Sequence, residues 1–286
     1  MHLPVPSTSV AFTVFGIDIM WYALCLTTGM VLGGFLGYKR TKRYGFPEEK
    51  YLDMLIYAVP AAVIGARLFY VAFEWDYYSK HLAQILHFRG GGLAIHGGLI
   101  GGLFVGYLFL RKNKISVVRT FDMVAPCLAL GQAIGRWGNY FNQEAHGVAT
   151  DLPWGIWIDA EQQYVHPTFL YESLWCFLLV LFLCLVVTKR QKFDGQVFLS
   201  YVILYSIERF FVEGLRTDSL MLGSLRQAQV FSVLAVLVCG VLYVIGRRKE
   251  YRAPENAITP ENVTAPENVT APETSEITET PEEESK

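Results

Sequence analysis

Residues 174–187 read Leu-Trp-Cys-Phe-Leu-Leu-Val-Leu-Phe-Leu-Cys-Leu-Val-Val, an apolar run without a single charged side chain. It sits in a block from about 167 to 187, and Lys189, Arg190 and Lys192 follow directly. About 20 apolar residues in a helix cross the hydrocarbon core of a bilayer, so the block predicts a transmembrane helix. A helix in a soluble domain would show a polar face at its own period, whereas this one is apolar all round.

The pattern recurs along the chain. Apolar blocks fall at roughly 17–38, 51–73, 91–110, 118–136, 167–187, 195–215 and 226–246. Hydrophobic residues make up 52% of the 286 and charged residues 17%, with a mean hydropathy of +0.31. A soluble domain carries about 25% charged residues, so the composition argues against one. The expected fold class is an all-α polytopic membrane protein with seven transmembrane helices over residues 1–252.

Bases gather after alternate blocks: Lys39, Arg40, Lys42 and Arg43; Arg111, Lys112 and Lys114; Lys189, Arg190 and Lys192; Arg247, Arg248 and Lys249. The positive-inside rule then predicts a periplasmic N-terminus and a cytoplasmic C-terminus. Residues 137–167 become a small periplasmic head, with Trp154 and Trp157 suited to the headgroup level. The first block keeps no small-residue cleavage site, so it is expected to be retained.

Residues 253–286 differ in kind. They repeat an Ala-Pro-Glu-Asn-like unit and hold nine acids against one base, while residues 1–252 carry a net charge of +6. Frequent proline and few apolar side chains predict a disordered tail, and the basic body suits anionic lipid and not nucleic acid. Cys25, Cys127, Cys176, Cys184 and Cys239 all fall in apolar segments without a CxxC pair, which fits small hydrophobes and no metal site. Gly29, Gly33 and Gly37, and likewise Gly98, Gly102 and Gly106, recur every fourth residue and predict close helix packing.

Ionisable groups inside spans are costly, so each needs a reason. Tyr22 and His96 lie shortly after outer entry points, and Arg136, Arg209 and Glu213 shortly before outer exits, with Arg67 late in span two. Several helices thus place polar groups in the outer half of the bilayer, which predicts a shared polar cavity. On span six, Tyr205, Arg209, Glu213 and Arg216 fall within 80° of one another at 100° per residue, one polar stripe. Glu213 is expected mainly to orient an arginine four residues away.

The densest signal is Gly135-Arg136-Trp137-Gly138-Asn139-Tyr140-Phe141-Asn142-Gln143-Glu144, ending at Gly147. Glycines leave room for a ligand, and a guanidinium matches phosphate as a planar fork of donors. Asn139, Asn142 and Glu144 supply donors and acceptors for a polyol. His96, between glycine pairs, is a base able to take a thiol proton near neutral pH.

These residues resemble a known family. The Gly135–Gly147 stretch is similar to the signature of prolipoprotein diacylglyceryl transferases, Gly-Arg-x-Gly-Asn-x-x-Asn-x-Glu-x-x-Gly, kept in full. Trp21-Tyr22, His96-Gly-Gly, His166-Pro-x-x-x-Tyr171-Glu172 and the run from Tyr205 through Arg209 and Glu213 to Arg216 resemble the family too. The resemblance covers about 15–250 and implies a seven-span enzyme of the bacterial plasma membrane that needs no cofactor. It implies two substrates, phosphatidylglycerol and a prolipoprotein signal peptide bearing a lipobox cysteine, and release of glycerol phosphate. Arg136 and Arg209 would hold the leaving phosphate, and His96 or Tyr205 would serve as base. Tyr22, Asn139, Asn142, Glu144, Glu213 and Arg216 would position the headgroup and peptide.

Two other classes are weighed against this reading. A lipid or anion transporter would show internally repeated halves and polar groups reaching both faces. An intramembrane protease would need a nucleophilic Ser with His, or paired Asp residues, and Asp18, Asp53 and Asp122 do not pair by depth.

Overall fold

The computed structural model describes residues 8–87 and 91–248. The acidic repeat at 253–286 and its expected disorder lie outside the described residues.

The described chain begins with an antiparallel hairpin, β1 (Val10–Val14) and β2 (Ile17–Met20), whose turn residues Phe15 and Gly16 both have positive φ. Then come α1 (Trp21–Tyr44), α2 (Glu48–Phe73), a single turn α3 (Trp75–Tyr78), a 3-10 turn at Leu82–Leu86 and α4 (Ile95–Lys112). Next, α5 (Val117–Asn142) leads through the hairpin β3 (Ile156–Ile158) and β4 (Gln163–Val165) into α6 (Thr168–Phe182). A π-helical turn, Leu183–Val187, extends α6 before α7 (Gln196–Leu215), the hairpin β5 (Met221–Leu222) and β6 (Leu225–Arg226), and α8 (Gln227–Arg248).

Each apolar block of the sequence coincides with a helix. Among the described residues, five helices are long and apolar enough to cross a membrane: α1, α2, α5, α6 with its π turn, and α8. α4 ends in Arg111 and Lys112, and α7 carries Glu208, Arg209 and Glu213, which lowers their hydropathy. Large side chains such as Ile56, Phe104, Leu178 and Leu237 are each at least 60% exposed. That much apolar surface is unsuited to water and fits lipid. The chain is a multi-pass membrane protein.

Helix contacts follow the glycines, with one shift. On α1, a Cβ at Gly29 or Gly33 would lie 3.1 Å from the carbonyl oxygens of Gly131 and Cys127 on α5. On α4 the closest approach is made by Gly97 and Gly101, not by the Gly98–Gly102–Gly106 row. A Cβ at Gly101 would sit 2.5 Å from the Ala61 oxygen of α2, while at Gly106 it would meet nothing within 4 Å. Adjacent small-residue rows have the same spacing, so the sequence could not tell which faces the partner. Ala125 and Ala129 of α5 pack with Leu179, Leu183, Val197 and Tyr201 into the core between α5, α6 and α7.

Helix ends differ from the apolar boundaries. Residues 17–20, expected within span one, form β2, and α5 runs on to Asn142 instead of stopping near 136. Hydropathy marks where side chains stop being apolar, not where backbone bonding ends. Gln143, in the left-handed conformation with φ 51°, terminates α5.

Two charged residues serve the scaffold. Arg67, expected in the polar cavity, donates to five backbone carbonyls, those of Gln84, Ile85, His87, Gly91 and Gly92, at 2.6–3.1 Å. Arg40, read from sequence as one of a basic loop cluster, is buried. It donates to the Met123 and Asp122 carbonyls and to the Tyr44 and Thr188 hydroxyls at 3.0–3.3 Å. The Asp122 carboxylate beside it accepts from the backbone of Gly195 and Phe198 and from Gln191, at 2.6–2.8 Å, capping the start of α7. Buried polar groups therefore occupy both ends of α5, and only those near its C-terminal end belong to the arginine cluster described next. Depth alone did not separate a site from a staple.

Candidate functional site

The site grows from one carboxylate. Glu172 lies in the second turn of α6 and is 1% exposed. A lone carboxylate at that burial would be prohibitively costly, so cations must surround it. Three do. Arg136 near the end of α5 forms a direct ion pair with Glu172 Oε2. Arg209 of α7 places Nη1 3.6 Å from Oε1, and Arg216 places Nη1 3.7 Å from the same atom.

Each further arginine has its own second partner. Arg209 Nη2 lies 2.6 Å from Glu213 Oε2, the i,i+4 pairing expected of Glu213. Arg216 grips Asp218 with both arms, Nε to Oδ1 at 2.9 Å and Nη2 to Oδ2 at 2.6 Å. Burial pushes the Asp218 carboxyl upward, but Arg216's hydrogen bonds and charge outweigh it and hold Asp218 below the usual carboxylate value. Arg216 does not complete a helical stripe as the periodicity suggested. It follows α7 in extended conformation, φ −74° and ψ 145°, and bridges to Gly147. The loop before α6 and the end of α7 are thereby tied, with Val148 N–H donating to the Leu215 carbonyl at 2.8 Å. Gly147 is needed there, because a Cβ would come within 2.7 Å of the His166 Cβ.

The remaining expected residues divide. Tyr205 sits beside Arg136 and inside the cluster. Tyr22 of α1 packs its ring over Gly138, where a Cβ would lie 2.6 Å from Tyr22 Cδ2. Asn139 and Asn142 both donate to Glu144 Oε1, at 2.9 and 3.3 Å, forming a separate knot at the end of α5. Gln143 fastens this knot to the turn between β3 and β4 through Asp159, by bonds of 2.9 and 3.0 Å. His166 and Trp154 meet at the Tyr171 hydroxyl, at 3.2 and 2.9 Å. His96 stands apart. It is exposed on the first turn of α4, its ring 6.1 Å from that of Phe69, and among the described residues it has no hydrogen bond to the arginines.

Two carboxylates escaped selection as site residues. Glu172 appeared only inside a motif, and Glu208, next to Arg209, was not singled out at all. Both lie inside apolar blocks, so the cost of charge in lipid that marked the arginines applied equally to them.

Arg136 and Arg209 keep about a fifth of their side-chain surface open, 20% each, and Arg216 11%. A guanidinium has five N–H donors, so pairing with one carboxylate leaves some available. Fixed guanidinium groups held by buried carboxylates form an anion-binding surface that need not reorganise when charge arrives.

The comparisons agree in kind. The family described as Prolipoprotein diacylglyceryl transferase matches residues 9–245. A phosphatidylglycerol–prolipoprotein diacylglyceryl transferase of Clostridioides difficile is 54% identical over 228 residues, 80% of this chain and 91% of that protein. One of the same name from Finegoldia magna is 51% identical over 241 residues, 84% of this chain and 96% of the relative. A third, from Bacillus cereus, is 46% identical over 81% of this chain and 88% of its own. With the match running from the first hairpin almost to the end of α8, the chain belongs to the prolipoprotein diacylglyceryl transferase family.

Proposed function

We propose that this protein transfers the diacylglyceryl group of phosphatidylglycerol to the lipobox cysteine of a prolipoprotein, the first step of lipoprotein maturation. The observation that supports it is the convergence of Arg136, Arg209 and Arg216 on the buried carboxylate of Glu172. The substrate supplies the nucleophile. Its thiolate sulfur attacks the glycerol carbon, the thioether bond forms, and the carbon–oxygen bond to phosphate breaks. Glycerol phosphate leaves with the electron pair. Arg136 and Arg209 hold the phosphate as its charge grows, and the thiol proton passes to His96 or Tyr205. Tyr22, Asn139, Asn142, Glu144, Glu213 and Arg216 position the headgroup and peptide, Glu213 through the Arg209 guanidinium that it braces.

The test is mass spectrometry of a lipobox peptide incubated with pure protein and phosphatidylglycerol. A diacylglyceryl mass gain on the cysteine, with glycerol phosphate released, is expected; an unmodified thiol beside intact lipid would overturn the reading.

The same reading places the enzyme in the bacterial plasma membrane with seven spans, α4 and α7 included. Residues 137–167 form its periplasmic head, and residues 253–286 lie on the cytoplasmic side. Positive-inside asymmetry and the aromatic head support this orientation. A cysteine placed in the tail should resist an impermeant thiol reagent in intact cells and react after lysis. Reaction in intact cells would reverse the topology.

A further inference from the structure

Of the three arginines that meet at Glu172, Arg136 and Arg209 stand on helices, whose geometry sets the direction in which each side chain leaves the backbone. Arg216 has no such support. It is the first residue past α7 and its backbone is extended, so neighbouring segments must fix its place. The bridge to Gly147 holds it from one side. A second hold comes from Arg226, the last residue of β6, which the reaction described above does not use.

One nitrogen of Arg226, Nη1, donates to two carbonyls, that of Glu213 and, at 3.1 Å, that of Arg216. The last carbonyls of a helix have no donor within it, which leaves the end of α7 open to such a cap. Arg226 is itself anchored. It pairs with Met221 across the β5–β6 hairpin, and the N–H of Gln227 beside it donates to the Leu220 carbonyl at 2.8 Å. One turn further, Gln229 Nε2 donates to the Phe210 carbonyl at 3.1 Å, a second tie between α8 and α7. Among the described residues Arg226 forms no ion pair, so its grip on α7 runs through backbone oxygens.

We infer that Arg226 is a positioning residue for the anion site: by holding the end of α7 and the Arg216 carbonyl, it keeps the Arg216 guanidinium aimed at Glu172 and at the headgroup of the bound lipid. The inference rests on the proposed role of Arg216 in placing that headgroup. Because Arg226 acts through carbonyls, what it must supply is donors and not a planar fork. An ammonium carries three N–H groups and can serve both oxygens, so lysine is a fair substitute at 226. At 216 it is not, since an ammonium cannot grip both Asp218 oxygens as the guanidinium does and face Glu172 as well.

The experiment is a double-mutant cycle on the full-length protein in detergent, with a lipobox peptide and phosphatidylglycerol as substrates. Arg226→Ala, Arg216→Ala, their combination and Arg226→Lys are compared by initial rates against lipid concentration, and thermal melting shows which proteins are intact. Arg226→Ala should raise KM for the lipid on the order of tenfold, the effect of losing one hydrogen bond to a charged group, with a much smaller change in kcat. Arg226→Lys should stay close to wild type. The double variant should have the KM of Arg216→Ala alone, because the brace then has nothing left to aim. Should the alanine protein melt early, Arg226→Met, which keeps the apolar stem without a donor, runs the same cycle. A wild-type KM without Arg226, a KM effect that adds to that of Arg216→Ala, or a lysine variant as impaired as the alanine would overturn the inference and leave the anion site standing. Wild-type kinetics in Arg216→Ala would instead remove Arg216 from the proposed site, and the inference with it.

Discussion

Arg136→Ala is expected to lower turnover roughly a hundredfold, a loss of about 3 kcal/mol of transition-state stabilisation, by analogy with removal of an oxyanion donor. In the proposed reaction the guanidinium would contribute more as charge develops on the departing phosphate than it does to the bound lipid, so the loss should fall on kcat. Folding should suffer much less. Glu172 keeps Arg209 and Arg216 at 3.6 and 3.7 Å when Arg136 is gone. Arg136→Lys retains the charge but should still lose much of the rate, because an ammonium cannot pair with Glu172 and offer a planar fork to phosphate at once. Initial rates against phosphatidylglycerol concentration, with membrane protein quantified, provide the measurement. Near wild-type turnover of Arg136→Ala at saturating lipid would transfer the leaving-group role to Arg209. His96→Gln and Tyr205→Phe, assayed alongside, identify the proton acceptor as the position whose loss removes the pH dependence of kcat.

Glu172→Ala should be the most damaging single change to the site's structure. Removing one partner of a buried ion pair typically costs about 3–5 kcal/mol, because the remaining charges stay buried and unpaired. Here two of the arginines retain Glu213 and Asp218, and Arg136 is left without its direct ion pair. The variant should melt well below wild type in detergent. An anion that binds only the native state should restore part of the loss by mass action, so added glycerol phosphate should raise the variant's Tm more than that of wild type. Glu172→Gln, with the shape kept and the charge lost, should fall between. A Glu172→Ala protein melting with wild type would show that the arginines hold one another's positions without the carboxylate.

Much of the fold was legible because lipid imposes a crude code. A helix in a bilayer satisfies its own backbone and turns apolar side chains outward, so length and hydropathy suffice to find it. Helix ends were less legible. The last turns of α5 carry Trp137, Asn139 and Asn142, polar or amphipathic residues that hydropathy assigns to the head. The site was legible where glycine and arginine stood together, as at Gly135-Arg136. It was not where one side chain could serve two purposes. Arg67 and Arg136 look alike as arginines near span ends, yet one binds backbone carbonyls and the other a buried carboxylate. That difference depends on which segment folds back against each, and chain position alone does not reveal it. Arg216 shows the same limit, since its place on the α7 stripe assumed a helix that ends one residue earlier.

Arg67 also changes how the stretch around it should be regarded under mutation. In a sheet or helix, the partners of backbone carbonyls are spread over many residues, and any one substitution disturbs few of them. Here the carbonyls of Gln84, Ile85, His87, Gly91 and Gly92 all accept from one guanidinium. A single codon some twenty positions upstream therefore serves all five of these carbonyls at once. The side chains at 84, 85 and 87 are free of that duty, because the atoms used are common to every amino acid. Robustness and fragility are separated along the chain: positions 84, 85 and 87 can change their letters without losing these bonds, while the bonds themselves hang on one letter elsewhere.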